Sequence, residues 1–431
     1  VYDKKSYLFG EKMKKDNWYN NGKEHIWHPY TQEKTAPEPI KVVSADGCKV
    51  TLEDGSQLID GISSWWSACH GYNNPHIINA LTTQAKIMPH FMFAGTAHEQ
   101  AYKLAGRLAS LTGLDRVFFT DSGSTAVETA MKTAVQFWRN QGNKKRNKFI
   151  SFDNGYHGDT MGCMSLCDPD DGMHRFFNDY MPKQFSLRVP SDEYDFAEFE
   201  TMVDGIGDTV AGVIIEPLVQ GAGGLKFHST DVLAEIYRIC KKYDLLFIAD
   251  EVMTGFGRTG YMFACEEASI TPDIMCVGKG LTGGVMTLAA TITKEDVYNG
   301  FLSDEMEKAL MSGPTFMANP LACAAANASL DLFESENRLE QVSAIEKQLY
   351  TELKPLKKLE RVIDVRIKGA IGVVQLDTDW DEVFQMRAEF IKRGVWLRPF
   401  KDVVYIMPPF TISKEELSTL TDTLCKVVLS L

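Results

Sequence analysis

Between residues 115 and 295, short β-rich runs take turns with helical patterns, and no other feature of the chain constrains its fold as strongly. Val117-Phe118-Phe119 reads as a strand. Residues 125–138 then bring Val127, Ala130, Met131, Ala134 and Trp138 onto one helical face. Gly212–Ile215, Leu245–Ala249, Ile274–Val277 and Thr287–Thr293 read as further strands, and residues 231–242 as a helix between two of them. This alternation predicts an α/β fold: a mostly parallel sheet with helices on both faces. The run Leu245-Leu246-Phe247-Ile248 is apolar at every position, as a strand covered on both sides requires.

The C-terminal part has a different rhythm. Strand-like runs at 371–376, 395–397 and 403–407 lie among helical stretches. The last helix opens with a capping box, Ser413 to Glu416, and carries Leu417, Leu420 and Leu424 on one face. The predicted organisation is an N-terminal segment, 1–64, packing with the small domain; a large domain, 65–321; and a smaller α+β domain, 322–431. Residues 1–25 are polar and are expected to be loosely held.

Composition removes several function classes. A net charge of -13 would repel phosphates, which argues against nucleic acid or an anionic membrane as partner. The nine cysteines are scattered with no C-x-x-C pair, Cys163 and Cys167 being the nearest approach. That pattern suits reduced, mostly buried thiols in a cytoplasmic protein. The nine histidines fall in no zinc spacing, so no metal is expected. Val1–Lys15 lacks the apolar stretch of a signal peptide, and no apolar run approaches the ~20 residues of a membrane span. A soluble cytoplasmic chain is the expectation.

Three strand ends carry chemistry. Lys279 follows the apolar run Ile274–Val277 and sits between Gly278 and Gly280, so no neighbouring side chain screens its amine from a bound aldehyde. A solvated loop lysine is the plainer alternative for an isolated G-K-G. A Walker A loop is excluded, because Gly280 stands where Ser or Thr is required. Asp250 ends the run that starts at Leu245, so its carboxylate emerges at the edge where α/β sheets bind ligands. There it can hold a pyridine nitrogen protonated, although a turn aspartate is common at strand ends. Asp121-Ser122-Gly123-Ser124 follows a strand and opens a helix, whose free N–H groups and dipole favour an anion. Gly255–Gly260 fits G-x-G-x-x-G, yet Asp250 and Glu251 intervene after the strand and no helix start follows, which argues against nicotinamide binding. A phosphate turn, a ring carboxylate and a lysine in this chain order are hard to obtain by chance.

Asp250–Gly260 (DEVMTGFGRTG), with Lys279 29 positions after Asp250, resembles the signature of the class III aminotransferases. Further stretches resemble the branch of that class that serves biotin biosynthesis: Trp27–Thr31, Gly61–Trp66, Asn154–Thr160, Gln220–Gly224, Gly313–Met317 and Trp396–Pro399. The resemblance implies a fold-type I homodimer with active sites at its interface and pyridoxal 5'-phosphate on Lys279. The implied substrates are S-adenosylmethionine and 8-amino-7-oxononanoate. Asp250 would pair with the pyridine nitrogen. Gly123, Ser124 and, from the second subunit, Thr315 would hold the phosphate, with Ser122, His157 and Pro314 completing the cofactor site. Tyr156 would stack on the ring. Tyr30, Trp65, Tyr156, Lys279 and Gly313 would line the substrate pocket, and Arg398 would bind the carboxylate of the keto substrate. Ala222 stands where ornithine and 4-aminobutyrate aminotransferases usually carry glutamate, which argues against those relatives. An ω-amino acid transaminase, a decarboxylase on the same lysine and a lysine-using enzyme of the same pathway remain as alternatives.

Overall fold

Five of the runs read as strands in the first 300 residues fall into one sheet. The computed structural model describes residues 18–170 and 172–430, the side chain of Trp380 excepted. It divides into two units, residues 18–41 and 42–430. The first holds a short helix, Trp18–Gly22, and a 3-10 turn, Lys23–His25, with Tyr19 donating to Glu38 and Lys41 Nζ lying 4.9 Å from the Tyr19 ring centroid. Most of the polar N-terminus discussed above lies outside the described residues.

The second unit opens with strands β1 (Val42–Asp46), β2 (Lys49–Leu52) and β3 (Gln57–Asp60). Then come β4 (Arg116–Thr120), β5 (Lys148–Phe152), β6 (Phe185–Leu187), β7 (Val210–Ile215), the two-residue β8 (Val219–Gln220) and β9 (Lys226–Phe227), β10 (Leu246–Asp250), β11 (Ile274–Val277) and β12 (Ala289–Thr293). The C-terminal part supplies β13 (Val362–Lys368), β14 (Ile371–Leu376), β15 (Val395–Trp396) and β16 (Val403–Ile406).

The large sheet runs β4-β12-β11-β10-β7-β5-β6, and β12 alone is antiparallel to its neighbours. Its reversal has a simple cause. Residues 278–288 join β11 to β12 and hold one 3-10 turn, Lys279–Thr282, too little chain for a crossover helix. The strands alternate between two cores. Phe247, Ala249, Met275 and Val277 face one core with Leu104, Leu108, Leu233 and Ile236 of helices Glu99–Thr112 and Thr230–Lys242. Leu246, Ile248, Ile274 and Cys276 face the other with Ala126, Val127, Ala130 and Trp138 of helix Gly123–Asn140. Period-two side chains on an apolar-throughout strand therefore demand cover on both faces, which the helices give.

β3 pairs in parallel with β15, so residues near 60 and near 396 share one sheet, β1-β2-β3-β15. β13-β14-β16 form an antiparallel sheet. The last helix, Lys414–Leu429, begins at the expected capping box, and Leu417, Leu420 and Leu424 are buried. β5, β6 and β13 had no clear sequence signal; β13 has the mixed burial of a partly covered edge strand.

Candidate active site

The carboxyl edge of the large sheet collects the three strand-end signals. β10 and β11 are parallel with Asp250 beside Cys276, so Asp250 and Lys279 leave the sheet at the same end. Asp250 is buried and its Oδ2 lies 2.7 Å from His157 Nδ1. Burial pushes the His157 imidazole down, but the hydrogen bond and charge of Asp250, with the charge of Glu216, outweigh it and leave the group raised above 6.5. Lys279 has φ +44, a left-handed backbone unusual outside glycine and typical of strained functional positions. Burial holds its amine below the ordinary 10.5, against the pull of Asp250, Glu216 and Asp159. A lysine so placed is more readily neutral, the form a nucleophile or base needs.

Helix Gly123–Asn140 starts at Ser122, whose side chain accepts from Thr125 N–H in a capping box. A Cβ at Gly123 would come within 2.7 Å of Val252 Cγ1, and one at Gly158 would run into Ser124. Glycine at both positions lets the helix start, the Gly155–Asp159 loop and Val252 close around one spot. Asp159 N–H donates to Ser124 Oγ at 3.2 Å. Tyr156 O–H donates to Asp159 at 2.8 Å, and the Tyr156 ring stacks on His174 at 5.9 Å. A helix N-terminus for a phosphate, a buried carboxylate for a ring nitrogen and a lysine whose burial favours its neutral form for an aldehyde are the donor set that pyridoxal phosphate needs.

Two tryptophans form a second wall, beside Lys279 and Arg398. Ser63–Trp66 forms a single helical turn of the wrong hand, with φ of +48, +49, +58 and +73. Left-handed backbone costs roughly 1–2 kcal/mol per residue. The turn points Trp65 and Trp66 in different directions. The Arg398 guanidinium sits 4.6 Å from the Trp65 ring centroid, and Lys279 Nζ sits 5.0 Å from that of Trp66.

Asp250, Lys279, His157, Tyr156 and Ser124 are thus tied into one region by direct contacts or by charge, and Trp65 and Arg398, which meet each other, join it through Trp66. Gly313, Pro314 and Thr315 lie in a largely exposed loop before helix Pro320–Ser335, and among the described residues no hydrogen bond or ion pair joins them to the others. Tyr30 belongs to the 18–41 unit and is half-exposed there. Gly255–Gly260 is a run of turns with φ of +55, +85 and +106 at Phe256, Gly257 and Gly260; a one-turn helix, Ala264–Glu267, follows it where no helix start was expected, separated from the last glycine by residues 261–263 rather than opening on the glycine loop itself. Eight cysteines are buried and Cys425 is partly exposed, all as free thiols.

Sequence reasoning missed Glu216. It follows β7, is buried, and accepts from Tyr156 N–H at 2.9 Å and Gly221 N–H at 2.8 Å. Burial pushes its carboxyl up to about 7. An acidic residue at the end of an all-apolar run, like Asp250 at the end of β10, was the available signal. Trp66 and Asp159 were also missed as contacts of Lys279 and Tyr156, because no spacing rule joins them.

Comparison with known proteins places this geometry. The adenosylmethionine-8-amino-7-oxononanoate aminotransferase of Corynebacterium glutamicum is 44% identical, over 91% of this chain and 94% of that protein. The crystal structure of the enzyme of the same name from Methanocaldococcus jannaschii superposes with a TM-score of 0.90 at 33% identity, covering 95% of this chain and 98% of that one. An (S)-enantioselective omega-transaminase from Thermomicrobium roseum also reaches 0.90, at 28% identity over 97% and 99% of the two chains. The fold neighbours therefore include different amine substrates, and fold alone selects none of them. Residues 30–428 match the profile of the family Aminotransferase class-III, and with the sheet-edge lysine and aspartate in place the chain belongs to the class-III aminotransferases.

Proposed function

We propose that this protein transfers an amino group from S-adenosylmethionine to 8-amino-7-oxononanoate, giving 7,8-diaminononanoate for biotin biosynthesis. The observation that carries this reading is the tryptophan turn, which sets Trp65 against Arg398 and Trp66 against Lys279. Such a site has two cations, each against its own flat apolar ring, and only one of them is the reacting amine. A keto acid whose carboxylate is remote from its ketone needs that layout. The names of its relatives at 33–44% identity support the same substrates.

Pyridoxal phosphate, when bound, supplies a carbonyl that takes up an amine and a ring that withdraws electrons from the adjacent carbon. Lys279 would hold it, Asp250 would face its ring nitrogen, and Ser122, Gly123 and Ser124 would meet its phosphate. His157 fixes Asp250 through the 2.7 Å contact. Glu216 holds the backbone N–H of Tyr156, whose ring lies between its stack on His174 and its hydrogen bond to Asp159. Lys279 Nζ, released by the incoming amine, would take the proton from the substrate carbon that bears the amine and carry it to the carbon on the far side of that nitrogen, two atoms away. Arg398 binds the carboxylate of the keto acid, oriented by its stack on Trp65.

The reading includes a homodimer in which Thr315, with Gly313 and Pro314, serves the second subunit's site. It includes a cytoplasmic setting and the three-part division at residues 64 and 321. Among the described residues no helix is long and apolar enough to cross a membrane.

The test is a half-reaction. The purified yellow protein receives S-adenosylmethionine, lysine, ornithine or 4-aminobutyrate separately, and its visible band is followed. Loss with S-adenosylmethionine alone, restored by 8-amino-7-oxononanoate, is expected. Loss with lysine alone would keep the acceptor and change the donor. Loss only with ornithine or 4-aminobutyrate would overturn the substrate reading.

A further inference from the structure

The left-handed turn Ser63–Trp66 needs something to hold it, since sequence alone gives it no glycine. The group that holds it is Asp60, the last residue of β3 and 1% exposed. Its Oδ1 accepts from Ile62 N–H at 2.8 Å, and its Oδ2 accepts from Ser64 N–H at 2.9 Å and from Tyr72 O–H at 2.5 Å. Two of these three donors are backbone groups of the chain entering and forming the turn. A second anchor lies across it. Ser63 Oγ donates to Met407 O at 2.7 Å, and the buried Arg258 reaches the same Oγ at 3.5 Å. The charge of Asp60 acts on Arg258 as well, so the carboxylate is countered rather than isolated.

We infer that Asp60 is a positioning residue for substrate recognition: by capturing the N–H groups of Ile62 and Ser64 it fixes the left-handed turn that aims Trp65 at Arg398 and Trp66 at Lys279. It touches neither of those cations itself. A carboxylate suits the task better than an amide, because three donors converge on two oxygens and an Asn side chain would set an NH2 against one of them. The consequence for catalysis rests on the substrate reading given above; the consequence for the turn does not.

The experiment therefore has two readouts on the holoenzyme. The near-ultraviolet circular dichroism of the tryptophans, taken without substrate, reports the turn. KM and kcat for 8-amino-7-oxononanoate report recognition. Asp60→Asn is expected to change the tryptophan spectrum and raise that KM about tenfold, an effect the size of one lost charge-assisted hydrogen bond, while kcat falls less than threefold. Adding Ser64→Gly, which removes the conformational penalty at φ +49, is expected to restore both readouts to within about threefold of the parent. A general loss of stability would not be repaired so selectively. An unchanged spectrum and KM in Asp60→Asn would overturn the inference, as would a defect that Ser64→Gly leaves in place. If Asp60→Asn does not fold, Tyr72→Phe decides: it removes one of the three donors and should give a smaller shift of the same kind, and no shift would overturn the inference. A changed, glycine-rescued spectrum in a protein whose parent ignores 8-amino-7-oxononanoate would support the turn assignment and sink the substrate reading alone.

Discussion

The two walls of the site are built on different principles. The cofactor wall is a sheet edge. Asp250 and Lys279 come from adjacent parallel strands buried on both faces, and His157 and Glu216 are buried behind them. Its precision comes from packing that would be there without any chemistry. The substrate wall is a strained turn plus an arginine from a distant part of the chain, and Trp65 is 39% exposed. Its precision comes from a few hydrogen bonds. A scaffold of the first kind can be shared across a family, whereas one of the second kind can be re-aimed by few substitutions. The fold neighbours fit this division, since omega-transaminases share the sheet.

Substitutions can break the comparison, the largest effect first. Lys279→Ala should abolish turnover, by roughly 10⁴-fold or more, since it removes both the attachment point and the general base. The purified variant should also lack the visible band; a retained band would remove Lys279 from its assigned role. Arg398→Ala should act on the other wall only. The KM for 8-amino-7-oxononanoate should rise by about 10- to 100-fold, as expected for a lost charge-assisted pair, with the band intact. If the amino donor suffers equally, Arg398 serves every carboxylate that enters and is no selective clamp.

Glu216→Gln should give the smallest effect and the most diagnostic shape. The carboxyl is raised from 4.5 to about 7, so between those values the folded chain holds a proton that the unfolded chain has released. That contribution to stability is complete below 4.5 and is lost as pH rises through about 7. Glutamine cannot lose the proton. The variant should therefore gain on the parent with rising pH across that window, by at most about 1.4 kcal/mol per pH unit, and the gap should stay constant above it. Denaturant midpoints of both proteins at several pH values measure it. A pH-independent gap would mean that Glu216 does not titrate there.

The same division governs what could be read in advance. Strand ends are legible, because an apolar run followed by a polar residue states both the strand and where its last side chain emerges. β11 falls on its expected residues, and β10 is displaced by one. The large sheet was expected to be mostly parallel, and only β12 departs, for want of chain in residues 278–288. Glu216 carried the same signal as Asp250 but belongs to no motif that assigns it a partner. The Ser63–Trp66 turn was not legible at all. Positive φ at four successive residues without glycine contradicts local preference, and it takes Asp60 together with partners far along the chain, Met407 and Arg258, to hold it. Tyr30, Trp65 and Arg398 were reached through family resemblance rather than local pattern for this reason.

The parallel pairing of β3 with β15 carries a consequence for biosynthesis. On the ribosome, Ile59 must wait for Val395 before its strand gains that partner. Gly61 waits as well, since its N–H donates to Trp396 O and its C=O accepts from Met407 N–H. The large sheet, complete by Thr293, can begin to assemble much earlier. A nascent chain would thus acquire the lysine wall first and carry an unfinished tryptophan turn until residues 395–407 emerge, which places the demand for chaperone shelter on the stretch just before the large sheet.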